Sequence, residues 1–344
     1  MPNTFTQRRA EQYARFTGLG YHKALARVAA LKPGEAPLPP AQGAQRLLEG
    51  RVFTHLGGDV DYFPHPVGIA AVHPGPTSIT VVLDSSETRH GHPLARHAIE
   101  GLLPVELPDS IESADPLHGV RGLRVAAVTR HALHLTLVGT RARLTLTSSG
   151  DTDWREVLRW RAAGLREAGA RPCWDQPRMT SAEELFEHDH PTLCQAEDEA
   201  AWLPSGLLRR VGLLHTVSTA YCTRYWLTVD EWRFELRHEY GVPMPHDTFI
   251  AHLTDPRWGL PLTVDKHHCD CGAPWLDPKY DQQCTIELSH REQVPGELQL
   301  RFRTNYKSYS NRDTLARLRT VQADPAWLRR VLPSHLAGAE QPTA

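Results

Sequence analysis

The residues of this chain best suited to chemistry stand together at His267-His268-Cys269-Asp270-Cys271-Gly272, followed by Cys284 and His290. Three of the six cysteines fall here, beside three histidines. Deprotonated thiols and neutral imidazoles at this density are what a structural zinc ion uses, four of them in a tetrahedron. One ligand set is His268, Cys271, Cys284 and His290, with Gly272 allowing a tight turn after Cys271. Another takes Cys269 and Cys271 with Cys284 and one of the histidines. Four protein ligands leave no position open for a substrate, so zinc here is expected to hold structure together and not to catalyse. The competing reading makes the cysteines small buried apolar residues and His290 a surface side chain at a strand end.

Two N-terminal patterns could support catalysis. Gly57-Gly58-Asp59-Val60-Asp61 sets carboxylates at i and i+2. On a strand these share a face, where they could hold a divalent cation for hydrolysis or nucleotidyl transfer. A glycine-rich turn with two turn-forming aspartates explains the motif equally well. His90-Gly91-His92 with His97 groups imidazoles that could bind a transition metal or act as acid and base. With 20 histidines in the chain, such crowding also arises by chance. Between these patterns, Asp84-Ser85-Ser86-Glu87-Thr88 follows the apolar run Ile79–Leu83 with Asp-x-Ser-x-Thr spacing. This short stretch resembles the metal-adhesion motif of von Willebrand A-type domains, which implies a cation at the end of a buried strand. Hairpin patterns replace the Rossmann-like alternation that should follow in that family. No Walker loop, Gly-x-Gly-x-x-Gly turn, Gly-x-Ser-x-Gly elbow or His-Glu-x-x-His helix occurs.

A third feature is electrostatic. From Arg291 to Arg330 nine basic residues face four acids. Within this segment Arg301, Arg303, Tyr306, Lys307, Tyr309 and Arg312 mix cations with aromatic rings, which suits phosphate contact plus base stacking. Upstream, Glu183, Glu184, Glu187, Asp189, Glu197, Asp198 and Glu199 form an acidic run with no Lys or Arg among them. That run is expected to be a solvated surface, or the internal partner of the basic face.

The elements that must position these residues fall into two halves. Residues 1–153 hold no tryptophan or cysteine, and all 9 Trp and 6 Cys follow. Ser148-Ser149-Gly150-Asp151 is a turn-like punctuation at that boundary, giving modules at 1–150 and 151–344. The first opens with a helical pair. Thr4 and Gln7 form a capping box, Gly18-Leu19-Gly20 stops the first helix, and Pro33-Gly34 ends the second. A further helix is expected between Pro93 and Leu103. Leu133, Leu135 and Leu137, then Leu144 and Leu146, alternate with polar residues across a Gly-containing turn, the pattern of an antiparallel hairpin. The second module begins with helices at Trp154–Leu165 and after a Ser181/Glu184 capping box. It returns to strands at Trp232–Leu236 and Leu298–Phe302; Asn311 then caps a helix through Val321, and Asp324-Pro325 starts another. Each half thus runs helices first and strands second, although no residue-level repeat links them.

The net charge of −2 and pI of about 6.9 give no general attraction to polyanions or membranes. No apolar run reaches the ~18–20 residues of a bilayer span. The cysteines are too sparse for a disulfide scaffold, which favours the cytoplasm. The expected fold is α+β, two modules of helices packed on a mainly antiparallel β-sheet. The expected function is non-catalytic binding: a zinc-stabilised second module that presents its basic-aromatic face to nucleic acid or an acidic protein. The alternatives are a metal-dependent enzyme using Asp59, Asp61 and the histidines near 90–97, and an assembly subunit docking through its helical N-terminus.

Overall fold

A computed structural model describes residues 4–56, 65–85, 93–108, 117–216, 219–224, 230–239, 246–269 and 283–305. Three helices come first: α1 (Phe5–Thr17), α2 (Tyr21–Ala29) and α3 (Gly43–Leu56). A hairpin follows, β1 (Ile69–Pro74) with β2 (Ser78–Leu83), then α4 (Leu94–Leu102) and the short strands β3 (Val105–Glu106) and β4 (Leu117–His118). A meander, β5 (Leu123–Val128), β6 (Leu133–Leu137) and β7 (Arg143–Ser148), completes the first large sheet. Next come α5 (Trp154–Glu167), β8 (Arg171–Pro172), α6 (Ser181–Asp189), α7 (Pro191–Ala200) and α8 (Trp202–Leu208). The second hairpin is β9 (Thr219–Arg224) with β10 (Glu231–Glu239). After α9 (His246–Leu253), the second meander is β11 (Leu262–Cys269), β12 (Gln283–His290) and β13 (Glu297–Asn305). The fold is α+β with mainly antiparallel sheets. Among the described residues, no helix is long and apolar enough to cross a membrane.

The two large sheets are the same object built twice. The first has strand order β1-β2-β7-β6-β5 and the second β9-β10-β13-β12-β11. Each joins a hairpin to a three-stranded meander through one parallel pair, β2 with β7 and β10 with β13, aligned from the first residue of each strand. Each meander also carries a register shift at the same place, between Val125 and Ala127 in β5 and between Val264 and Lys266 in β11. A bulge bends and twists its strand and is kept as a built feature. Shared order, pairing sense and bulge position establish a structural duplication.

The copies meet reciprocally. The 3-10 turn Pro66–Gly68 before β1 packs on β9, and the 3-10 turn Val211–Thr216 before β9 packs on β1. Helix α3 of one copy packs on α8 of the other. Apolar residues of both sheets belong to one continuous core that includes Leu135, Leu144, Phe234 and Leu300. A buried ion pair crosses this seam: Arg209 donates to both carboxylate oxygens of Glu49 at 2.6 and 2.7 Å, and Ser205 Oγ and Gln45 Nε2 donate to the same group. Gly18 ends α1 in the left-handed region at φ 76°, where a Cβ would lie 2.5 Å from the Ala70 carbonyl oxygen. Only glycine fits both constraints.

Local signals behave as their chemistry dictates. The Thr4/Gln7 capping box is present. In α6 the box is Thr180 with Glu183, one residue before the Ser181/Glu184 pair. The shift follows from Glu183, which lies fully buried and accepts from Arg124, Gly122 N and Thr180 N. Burial pushes its carboxyl up, but these donors outweigh it and hold the group below the usual carboxylate range. Glu197 is likewise buried against Arg121 and Arg51. Two members of the acidic run therefore anchor α6 and α7 to β5, α3 and the loop before β5, while Glu184, Glu187, Asp189, Asp198 and Glu199 face solvent.

Candidate metal centre

At the open end of the β11–β12 ladder four ligand-bearing side chains converge. Cys269 and Cys284 are register partners, so both project to the same face of the sheet. His267, two residues before Cys269 on β11, shares that face by the period-two alternation of a strand. His246 enters from the first turn of α9, which packs across the inner face with Phe249 against Phe302. The ligand atoms of His246, His267, Cys269 and Cys284 lie within 4.8 Å of one another, and the group could hold a metal ion.

The finer distances suit that role. His267 Nε2 is 3.2 Å from Cys284 Sγ, and His246 Nε2 is 3.6 Å from Cys269 Sγ. A tetrahedral zinc with Zn–S of ~2.3 Å and Zn–N of ~2.05 Å separates sulfur from nitrogen by about 3.6 Å. Cys284 and His246 are buried and His267 and Cys269 exposed, so the group sits at the rim, half in the core and half in water. Phe302, itself fully buried, lies 6.0 Å from the His246 ring and forms the apolar floor. Asp247 Oδ1, 3.3 Å from His246 Nε2, places a carboxylate beside the ring on the solvent side.

Of the residues singled out from the sequence, Cys269 and Cys284 are brought together. His268 alternates to the opposite face of β11, paired with Thr285. His290 is at the far end of β12 opposite Leu262, roughly 20 Å from Cys284 at ~3.4 Å per residue. There it packs edge-on against Trp202 at 4.7 Å, and its Nδ1 accepts the Glu292 N–H. Cys271 lies outside the described residues, as do Asp59, Asp61, His90, His92, Tyr306, Lys307, Tyr309 and Arg312. His97 is half-buried on α4. His267 was left among the open histidines by sequence spacing, and His246 was not singled out at all. The i, i+2 relation to Cys269 could have found the first, whereas His246 is distant in sequence and only the packing of α9 delivers it.

Arg301 and Arg303 occupy β13, and Arg301 stands beside Glu235 in the parallel pair with β10. Its Nε donates to Gln299 Oε1 at 2.6 Å, an oxygen that also accepts from Arg233 Nε at 3.0 Å. Lys266 pairs with Glu287 at 2.9 Å nearby. This face of the second sheet therefore alternates cations with acids. Asp84 is buried and its carboxylate is engaged by His65 Nδ1. The His65 ring lies 4.8 Å from that of His215, whose Nε2 donates to the Ile69 carbonyl at 2.9 Å. These two imidazoles stand at matching places before β1 and β9, at the seam between the copies.

The fold and this site define an α+β protein with two like sheets, one of which ends in a His2Cys2 group. No family model matches the chain, and no curated protein or solved structure shows significant similarity to it.

Proposed function

We propose that this is a non-catalytic zinc protein in which the ion joins α9 to the β11–β12 ladder and thereby fixes the shape of the second sheet. The observation that carries this reading is the convergence of two sulfurs and two imidazole nitrogens within 4.8 Å. Thiolate and imidazole ligands favour zinc over magnesium or calcium, which demand oxygen donors. A set of four protein ligands is the closed form used in structural sites. Metal analysis of the purified chain should return one zinc per molecule. A metal-free chain whose thermal transition is unchanged by added zinc would overturn the reading.

A second reading, contact with a polyanion such as nucleic acid, rests on Arg301 and Arg303. Binding through such a surface falls steeply with salt. Absence of retention on either single-stranded or duplex nucleic acid at low salt would remove it.

A further inference from the structure

We infer that Cys269 and Cys284 form a peroxide-sensitive pair whose oxidation to a disulfide ejects the metal; this rests on the zinc reading above. The two residues face each other directly across the antiparallel β11–β12 ladder. Opposed residues in such a ladder have Cα atoms about 4.5–5.5 Å apart, inside the ~4.4–6.8 Å range a disulfide bridges. Their sulfurs belong to one cluster spanning no more than 4.8 Å.

The pair is asymmetric in the way a two-step oxidation needs. Cys269 is exposed and open to a small oxidant, while Cys284 is fully buried and shielded from it. Peroxide oxygen is transferred first to the Cys269 sulfur, which becomes a sulfenic acid as the O–O bond breaks and hydroxide, then water, departs. The Cys284 sulfur attacks it, the S–O bond breaks, the S–S bond forms, and a second water leaves. Two thiolates, two protons and one hydrogen peroxide thus yield one disulfide and two waters. The two sulfurs supply both electrons, and the zinc stays divalent throughout. Disulfide sulfurs carry no negative charge and ligate zinc poorly, so the ion is left with His246 and His267. Cys173 and Cys194 are poorer targets. Burial pushes the Cys173 and Cys194 thiols above their usual range, which disfavours the reactive thiolate.

One zinc-loaded preparation of the full chain with Cys271→Ser tests this, since Cys269 is then the lone thiol of tryptic peptide 267–279. Hydrogen peroxide is added, and released zinc is read with a chromophoric chelator beside the intact mass. The expected result is one zinc released per chain, loss of two hydrogens, a cross-link between peptides 267–279 and 280–291, and recovery of zinc binding after thiol reduction. Fragmentation of the same peptides from the wild-type chain seeks the same cross-link, so the result does not depend on how the variant folds. Zinc retained under peroxide, oxygen added to Cys269 without a cross-link, or a bridge to another cysteine would overturn the inference while leaving the zinc site standing. A chain that takes up no zinc before peroxide is added overturns the metal reading and the ejection together.

Discussion

In the first sheet, β5 and β6 end on the pair Val128 and Leu133 and are joined by the turn Thr129–Ala132. In the second, the equivalent strands end on Cys269 and Cys284 and are joined through residues 270–282. The first turn closes by its own chemistry: Thr129 N donates to Ala132 O at 2.9 Å, and Thr129 Oγ1 accepts from Ala132 N at 3.0 Å. The second ladder runs two residues beyond the matching pair, His267 and Ile286, and carries the metal-capable group at that extended end. Closing a longer connection costs more chain entropy, and a cross-link at its base offsets that cost. Two copies of one topology thus differ at this end: turn hydrogen bonds close the short link, and a group able to hold a metal stands at the base of the long one.

The largest effect should come from the seam, which both copies share. Glu49→Ala leaves Arg209 buried without its carboxylate, and such a loss costs about 3–5 kcal/mol. Denaturant unfolding followed by hydrogen exchange should show both sheets weakened together. A loss confined to one sheet would break the equivalence of the copies. Removing zinc with a chelator should act on one copy only. An ion held at ~1,000 times its dissociation constant contributes about 4 kcal/mol. Exchange should therefore rise in α9, β11 and β12 and stay constant in β5 and β6.

Smaller changes sharpen the contrast from the other side. Thr129→Ala removes the side-chain bonds of the short turn and should cost about 1 kcal/mol. Its increased exchange should appear in β5–β6 and leave β11–β12 and zinc affinity untouched. The smallest effect concerns the parallel pairs. Their first residues are Ser78 and Arg143 in one copy but Glu231 and Glu297 in the other. Burial, with Glu231, Asp230, Asp265 and Glu287 around it, raises the Glu297 carboxyl above its usual range. Folding then opposes its ionisation, so this contribution becomes more favourable as pH falls through the raised value. Glu297→Gln should raise the melting temperature slightly at neutral pH and flatten that acid-side gain, with solvent screening keeping both changes small.

Much of the architecture is legible in local patterns. The Thr4/Gln7 box, the β6–β7 hairpin and the Trp232–Leu236 strand are set by interactions within a few residues, and each stands where its pattern places it. The duplication shows in the sequence only as helices before strands in each half, because it resides in strand order and bulge position. The residues the registers match, such as Leu144 with Leu298, are too few and too ordinary to reveal it. The site divides along the same line. Cys269 and Cys284 stand out by residue type, but choosing His267 over His268 requires the strand's alternation, and His246 requires the docking of α9. Likewise the acidic run looks uniformly solvated until Arg124 and Arg121 are found against Glu183 and Glu197.

The most direct measurement is zinc affinity, by competition with a chelator, for His267→Ala beside His268→Ala. A zinc site with four protein ligands is worth roughly 10–16 kcal/mol, so one lost ligand should weaken binding by about a hundredfold. The account predicts that loss for His267→Ala and near wild-type affinity for His268→Ala. Equal affinities, or a larger loss from His268→Ala, would contradict it.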